Sequence, residues 1–325
     1  MRTVFISNSM LRSMHTCSTQ AWLRTRGLSA LAEDNKKMRA GRDAHLAFAT
    51  WLGGALDVDA CVQPFEDAYS SYSDQFLLEK DAYHVSNLVR VLQVFFASNP
   101  LAAMPFEVVE IERQGIELEL FRTTSTRYVV TDKPDAMVRM KDTGALMPFE
   151  AKTVGYFGEN YLDDYALDSQ VTTHVAAALA RGHLDVAGVL LQVVQFNKLP
   201  DPLAVTPKTG KPASCRTHPG SKVKDCWQQH VRWERFLVAR TADDLSTWRD
   251  NTVQSILDYE QLAMLAAARL AEVPQEGLYG KCGSCEFLGF CRSQRTAWHL
   301  LRQREREAGV QYSGIEEVAN VETIS

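Results

Sequence analysis

Four cysteines divided between the two ends of the chain constrain it most. Cys17 stands near the start, and Cys282, Cys285 and Cys291 follow near the finish in the spacing C-x2-C-x5-C. Thiolates set that close together suit a soft metal or a cluster. If Cys17 joins the other three, the fold has to bring its first and last segments side by side. Four thiolates fit either Zn2+ or a [4Fe-4S] cluster, and the spacing does not separate them. A plainer reading keeps Cys17 as a buried apolar side chain and gives the remaining three to zinc with another ligand. Cys61, Cys215 and Cys226 fit no motif. Cys215 and Cys226 imitate a zinc set with His218 and His230, but their spacing is irregular and no site is assigned there.

A chain of 325 residues with 46% hydrophobic content can bury a substantial core, and one elaborated domain is expected. The longest apolar run, 186–196, falls far short of the ~20 residues of a membrane helix. Thr3-Val4-Phe5-Ile6 gives way at once to Ser7-Asn8-Ser9, which is too short for a secretory leader. These features predict a cytoplasmic protein with no membrane partner and with its seven cysteines mostly reduced. A net charge of -5 argues against a general polycation, yet charge is clustered locally. Lys36, Lys37, Arg39 and Arg42 form one group, Lys208, Lys211, Arg216, Lys222 and Lys224 a second, and Arg292, Arg295, Arg302, Arg304 and Arg306 a third. Each alone reads as a solvated face; together they leave room for a phosphate track.

Ser7 and Ser9 can cap a helix carrying Leu11, Met14, Ala21 and Trp22, with Cys17 in or just past its middle and Gly27 closing it. Helical spacing predicts further helices over 36–52, where Gly41 and His45 lie one turn apart, and over 82–97. After Pro100 the pattern becomes extended: 106–112, 116–120, 127–130, 136–140 and 146–151 read as short strands, with Asp142-Thr143-Gly144 as a turn. A helix over 168–181 stops at Gly182, and 186–196 reads as a buried strand. The stretch 198–227 is polar and basic, long enough to be a functional or disordered loop. A strand over 231–240, a long helix over 243–272, the cysteine loop, a basic helix and a polar tail from Gly309 complete the chain.

The chemistry concentrates in Pro134-Asp135 followed by Glu150-Ala151-Lys152. Alternation sends Glu150 and Lys152 to one face of a strand and Ala151 to the other. A hairpin can set Asp135 beside Glu150, giving two carboxylates for Mg2+ or Mn2+. Such an ion would polarise a phosphate, while Lys152 orients water and offsets developing charge. An isolated E-x-K is ordinarily a surface strand with ordinary charges, so the weight lies in the company it keeps.

Taken in order, an N-terminal cysteine, a G-x3-H helix, the aspartate, the E-x-K strand, a glutamine-bearing helix and C-x2-C-x5-C resemble the PD-(D/E)xK nuclease superfamily. The resemblance is to its RecB-like branch with an iron-sulfur cluster, the AddB-type and CRISPR-associated adaptation nucleases, and it spans Ser7 to Cys291. It implies an α/β fold with a restriction-endonuclease-like core, a mixed β-sheet flanked by helices, and N- and C-terminal segments joined by a four-cysteine iron-sulfur site. It implies His45, Asp135 and Glu150 as metal ligands, Lys152 as the catalytic lysine, and Gln170 as a residue that positions water or DNA. It also favours a [4Fe-4S] cluster over zinc on Cys17, Cys282, Cys285 and Cys291. The family usually has tyrosine four residues after the glutamine, where this chain has His174, which is either a DNA contact or a satisfied helical histidine.

The expected division is a helical region over 1–100, a nuclease core over 101–240, a C-terminal helix and cysteine region over 241–308, and a tail over 309–325. The expected activity is metal-dependent hydrolysis of DNA, as an exonuclease on single strands or ends, in recombination, repair, phage replication or CRISPR adaptation. No G-x4-G-K-[ST] segment is present, so any helicase or recombination partner is a separate protein. The rival reading is a non-catalytic nucleic-acid-binding scaffold that keeps the nuclease fold.

Overall fold

The computed structural model describes residues 1–25, 28–30, 36–111, 115–156, 158, 161, 165, 168–204, 206, 210–269, 285, 287, 291 and 301–303. Gly27, Cys282, most of the expected basic helix and the tail from Gly309 lie outside the described residues. In chain order the elements are β1 (Arg2–Ser7), α1 (Asn8–Thr16), α2 (Ser18–Thr25), β2 (Leu28–Ala30), α3 (Lys36–Leu52), α4 (Val58–Phe76) and α5 (Val85–Ser98). There follow β3 (Phe106–Ile111), β4 (Ile116–Arg122), β5 (Thr126–Asp132), β6 (Ala136–Met140), β7 (Leu146–Val154) and α6 (Ser169–Ala180). The last are β8 (Gly188–Gln195), α7 (Val223–Cys226), β9 (Trp233–Ala239), α8 (Ala242–Arg269) and β10 (Leu301–Gln303).

The fold is α/β, with mixed sheets flanked by helices. The larger sheet runs β3-β6-β7-β8-β9 and a smaller one β1-β5-β4. Within the larger sheet β7 and β8 are parallel, with Glu150 opposite Leu191 and Val154 opposite Gln195. Their crossover carries α6, as parallel neighbours require. The chain passes from the smaller sheet to the larger between Asp132, the last residue of β5, and Ala136, the first of β6. Both Asp132 and Asp135 therefore stand at the junction of the two sheets.

Three packing layers fix this junction. Ala136, Val138, Phe149, Ala151 and Val194 face a core shared with α3, α4 and α5, where Phe48 meets Phe95 edge-on at 5.6 Å. The opposite face of the larger sheet, through Met137, Leu146 and Val189, packs on Val171 and Val175 of α6. The smaller sheet packs Val4, Ile6, Tyr128 and Val130 against Leu11 of α1, Trp22 of α2 and Ile256 of α8. Gly41 lets α3 come close to β7, because a Cβ there would stand 3.0 Å from Thr153 Oγ1.

Several elements differ from expectation. The N-terminal helix is two helices, broken at Cys17, whose backbone is extended at φ -169° and ψ 115°. Ser7 caps the first of them, its side chain accepting from the Met10 N–H. The sequence pattern gave no sign of β1, which pairs in parallel with β5, nor of α4, which carries Pro64 in its interior. Leu301–Gln303, expected in a basic helix, is a strand paired antiparallel with β2. The 198–227 stretch is not structureless: Ser214 bridges Lys222 in antiparallel fashion and α7 follows. Among the described residues no helix is long and apolar enough to cross a membrane.

Candidate active site and a cysteine-histidine cluster

Alternation along β7 places Ala151 in the core below α3–α5 and directs Glu150 and Lys152 at α6. There the Lys152 ammonium donates to Glu150 Oε1 at 2.5 Å and to Gln170 Oε1 at 2.9 Å. Gln170 closes the triangle by donating from Nε2 to Glu150 Oε1 at 2.9 Å. Gln170 holds this place because it lies in the first turn of α6, where the Asp168 carboxylate caps the Gln170 and Val171 N–H groups. Asp168 is itself paired with Arg12 of α1 at 2.7 Å.

Asp135 approaches from the other side. Its N–H donates to the Phe149 carbonyl at 3.1 Å, and its carboxylate accepts from the Ala151 N–H at 2.7 Å. That pins Asp135 to the strand that carries Glu150. His45 reaches it from α3, with Nδ1 2.7 Å from Asp135 Oδ1. The set puts two carboxylates, an imidazole and an ammonium on neighbouring elements where β7 runs on past its last β6 partner. The ligand atoms of His45, Asp135 and Glu150 are less closely gathered than those of the cluster formed by Cys215, His218, Cys226 and His230. Two carboxylates and an imidazole are a donor set suited to a hard divalent ion such as Mg2+ or Mn2+.

His174, one turn beyond Gln170, is the satisfied helical histidine of the two readings, but its partners were not foreseen. It is completely buried, with Nδ1 2.9 Å from the Asp132 carboxylate and Nε2 3.3 Å from Glu150 Oε2. The second contact is at ion-pair distance without hydrogen-bond alignment. Asn8, the first residue of α1, donates to the other side of Asp132. Sealed in this way, His174 is not on a surface that meets DNA; it joins Asp132 to Glu150. Asp132, Asn8 and Asp168 are the participants that motif reading missed. The one available signal was Asp132 standing three residues before Asp135.

The charges hold one another in place. Burial works to raise Glu150, but Lys152 and His174 outweigh it and hold the carboxyl well below the usual range. Burial likewise works to lower Lys152 and is overcome by Glu150, so the ammonium stays protonated. Burial opposes a charged His174, yet Asp132 and then Glu150 raise it to about 10. At His45 burial again opposes charge, and the hydrogen bond and field of Asp135, reinforced by Glu150, raise it.

The expected four-cysteine site is described in part. Cys17 occupies the α1–α2 break. Cys285 and Cys291 pack against the cluster that contains Met14, Trp22 and Phe287, so the late cysteine loop reaches the N-terminal helices. Cys282 lies outside the described residues.

The set that sequence reading passed over does converge. One ligand atom each from Cys215, His218, Cys226 and His230 lie within 4.8 Å of one another, a group able to hold a metal ion. Among the described residues no other set of three or more histidine, cysteine and acidic ligand atoms is so gathered. The irregular spacing misled because the ligands come from a turn and a helix rather than from two matched knuckles. The chain matches no family model and no curated protein, so the chemistry of these side chains is what speaks for its activity.

Proposed function

We propose that this chain is a metal-dependent DNA nuclease with a restriction-endonuclease-like core, hydrolysing phosphodiester bonds at DNA ends or in single strands. The observation that carries the reading is the Glu150–Lys152–Gln170 triangle beside the His45–Asp135 pair, on adjoining elements of a mixed sheet and its flanking helices. His45, Asp135 and Glu150 would hold Mg2+ or Mn2+. The ion would supply Lewis-acid polarisation of the scissile phosphate and a lowered pKa for its water.

The protein's own groups do the rest. Lys152 is kept charged and aimed by two acceptors, so it can orient an attacking water and offset negative charge as it develops on the phosphate. Gln170 offers both a donor and an acceptor, which fixes the Lys152 rotamer without adding charge. His174 holds Glu150 from behind and keeps that carboxylate ionised.

The same reading gives Cys17, Cys282, Cys285 and Cys291 to a [4Fe-4S] cluster. The packing of Cys285 and Cys291 against the helices on either side of Cys17 supports it. The cluster's role there is to fasten the two ends of the chain, as a structural metal does. DNA is the partner, and a separate helicase or recombination protein would supply any unwinding.

The test is cleavage of end-labelled single- and double-stranded DNA by anaerobically purified protein, with Mn2+ or Mg2+ against EDTA. Metal-dependent shortening of the label is expected, and its polarity follows from the products. Intact DNA under every metal condition would overturn the reading and leave a DNA-binding scaffold in its place.

A further inference from the structure

We propose that Cys215, His218, Cys226 and His230 form a structural Zn2+ site that folds the insertion between β8 and β9. This site is separate from the nuclease centre and from the four cysteines at the chain ends, and it stands whether or not the chain cuts DNA.

The geometry matches a tetrahedral ion. With Zn–S about 2.3 Å and Zn–N about 2.0–2.1 Å, neighbouring sulfur and nitrogen corners lie about 3.5 Å apart. Cys215 Sγ is 3.4 Å from His218 Nδ1 and 3.4 Å from His230 Nε2. The two imidazoles stand nearly perpendicular, at 87° with 5.0 Å between centroids, so they come to the centre from different directions. Two thiolates and two neutral imidazoles also balance the charge of the ion.

The local backbone explains how a C-x2-H-x7-C-x3-H spacing closes. A tight turn brings His218 back on Cys215: the His218 N–H donates to Cys215 Sγ at 3.3 Å, and the Cys215 N–H donates to the Ser221 carbonyl at 3.0 Å. Gly220 makes that turn with φ +85°. Cys226 ends α7, and a short 3-10 turn over Trp227–His230 carries His230 one turn onward to the same side.

The insertion needs such a fastening. Among the described residues its own apolar cluster has Cys215, Val223 and Cys226 as its buried members, with Leu199 and Val231 buried instead in the main core at its two ends, which is little to order the stretch between them. The site sits where the segment rejoins the body. Asn197 donates to the His230 carbonyl at 3.2 Å, Val231 enters the main core, and Arg90 of α5 covers Trp227 at 4.6 Å. A metal here would couple the ordering of the insertion to β9, the edge strand of the larger sheet, with β8 between it and Lys152.

The experiment is zinc and iron analysis of the full chain, followed by Co2+ substitution. One zinc per chain is expected in the wild type, retained in Cys17→Ala and Cys285→Ala, and lost in Cys226→Ser. Co2+ should give the intense visible bands of a tetrahedral ion with two thiolates. Cys226→His, which keeps a fourth ligand and the fold, should retain the metal while roughly halving the thiolate-to-cobalt charge-transfer band. Chelation should open the insertion to trypsin at Lys211, Arg216, Lys222 and Lys224. Wild-type protein without stoichiometric zinc would overturn the proposal. So would zinc that survives Cys226→Ser, or a cobalt spectrum unchanged in Cys226→His.

Discussion

Replacing His174 by leucine removes the cation that two buried carboxylates share. Asp132 and His174 are fully buried, and the Glu150 side chain is only 4% exposed. Leucine is of similar bulk, so the cavity contribution is small and the loss is electrostatic. Breaking a buried ion pair by removing one partner costs about 3–5 kcal/mol, because the remaining charge is left uncompensated. With a urea slope of about 3 kcal/mol/M for a chain of this size, a loss of about 4 kcal/mol lowers the midpoint by roughly 1.3 M.

Urea titrations in EDTA, so that no divalent ion competes for Glu150, measure that shift. In an Asp132→Asn background the same His174→Leu change should cost much less, since one of the two stranded charges is gone. The pH dependence has a fixed sign. His174 is raised from 6.5 to about 10, so its stabilisation is fully present below about pH 6.5 and is lost as pH climbs towards 10. Wild-type stability should therefore carry a downward component across that window that the leucine variant lacks. A loss below about 1 kcal/mol, or an equal loss in both backgrounds, would refute the claim that His174 is a buried imidazolium bridge.

Two further outcomes follow from particular contacts. Gly41→Val should push α3 away from Thr153 and cost about 1–3 kcal/mol, partly recovered by Thr153→Ala; a Gly41→Val chain as stable as wild type would show that the 3.0 Å approach does not matter. In metal-free protein the His45 imidazole should titrate above 6.5, and Asp135→Asn should bring its midpoint down when followed by NMR. An unchanged midpoint would mean that Asp135 does not govern His45.

Local periodicity made much of this legible. The α3 helix and the alternation of Glu150, Ala151 and Lys152 read directly from spacing, and so did the start of α6 near Asp168, though not the capping role of its carboxylate. What stayed hidden depends on partners distant in sequence. The short Thr3-Val4-Phe5-Ile6 run becomes a strand only because β5 lies alongside it. In α4 an interior Pro64 and many polar residues mask the pattern, and burial of Cys61, Val62, Phe65 and Tyr69 holds the helix against propensity. Cys17 breaks a segment whose apolar spacing reads as continuous. The Asp132–His174 bridge joins residues from different layers, and no motif announces it. The Cys215–His230 cluster was visible as residue types but not as a site, since only a turn and a helical step bring its ligands together.

In the proposed nuclease, Lys152, aimed by Glu150 and Gln170, would be the charge on which metal-dependent cleavage depends. Wild type and Lys152→Ala should be compared on the same end-labelled DNA under saturating Mn2+, with DNA affinity measured alongside. Removing one preorganised stabiliser of this kind lowers kcat by about 10²–10³. Wild-type cutting should fall by at least that factor in Lys152→Ala while DNA binding is retained. A Lys152→Ala protein that cuts as fast as the wild type would contradict that role for Lys152.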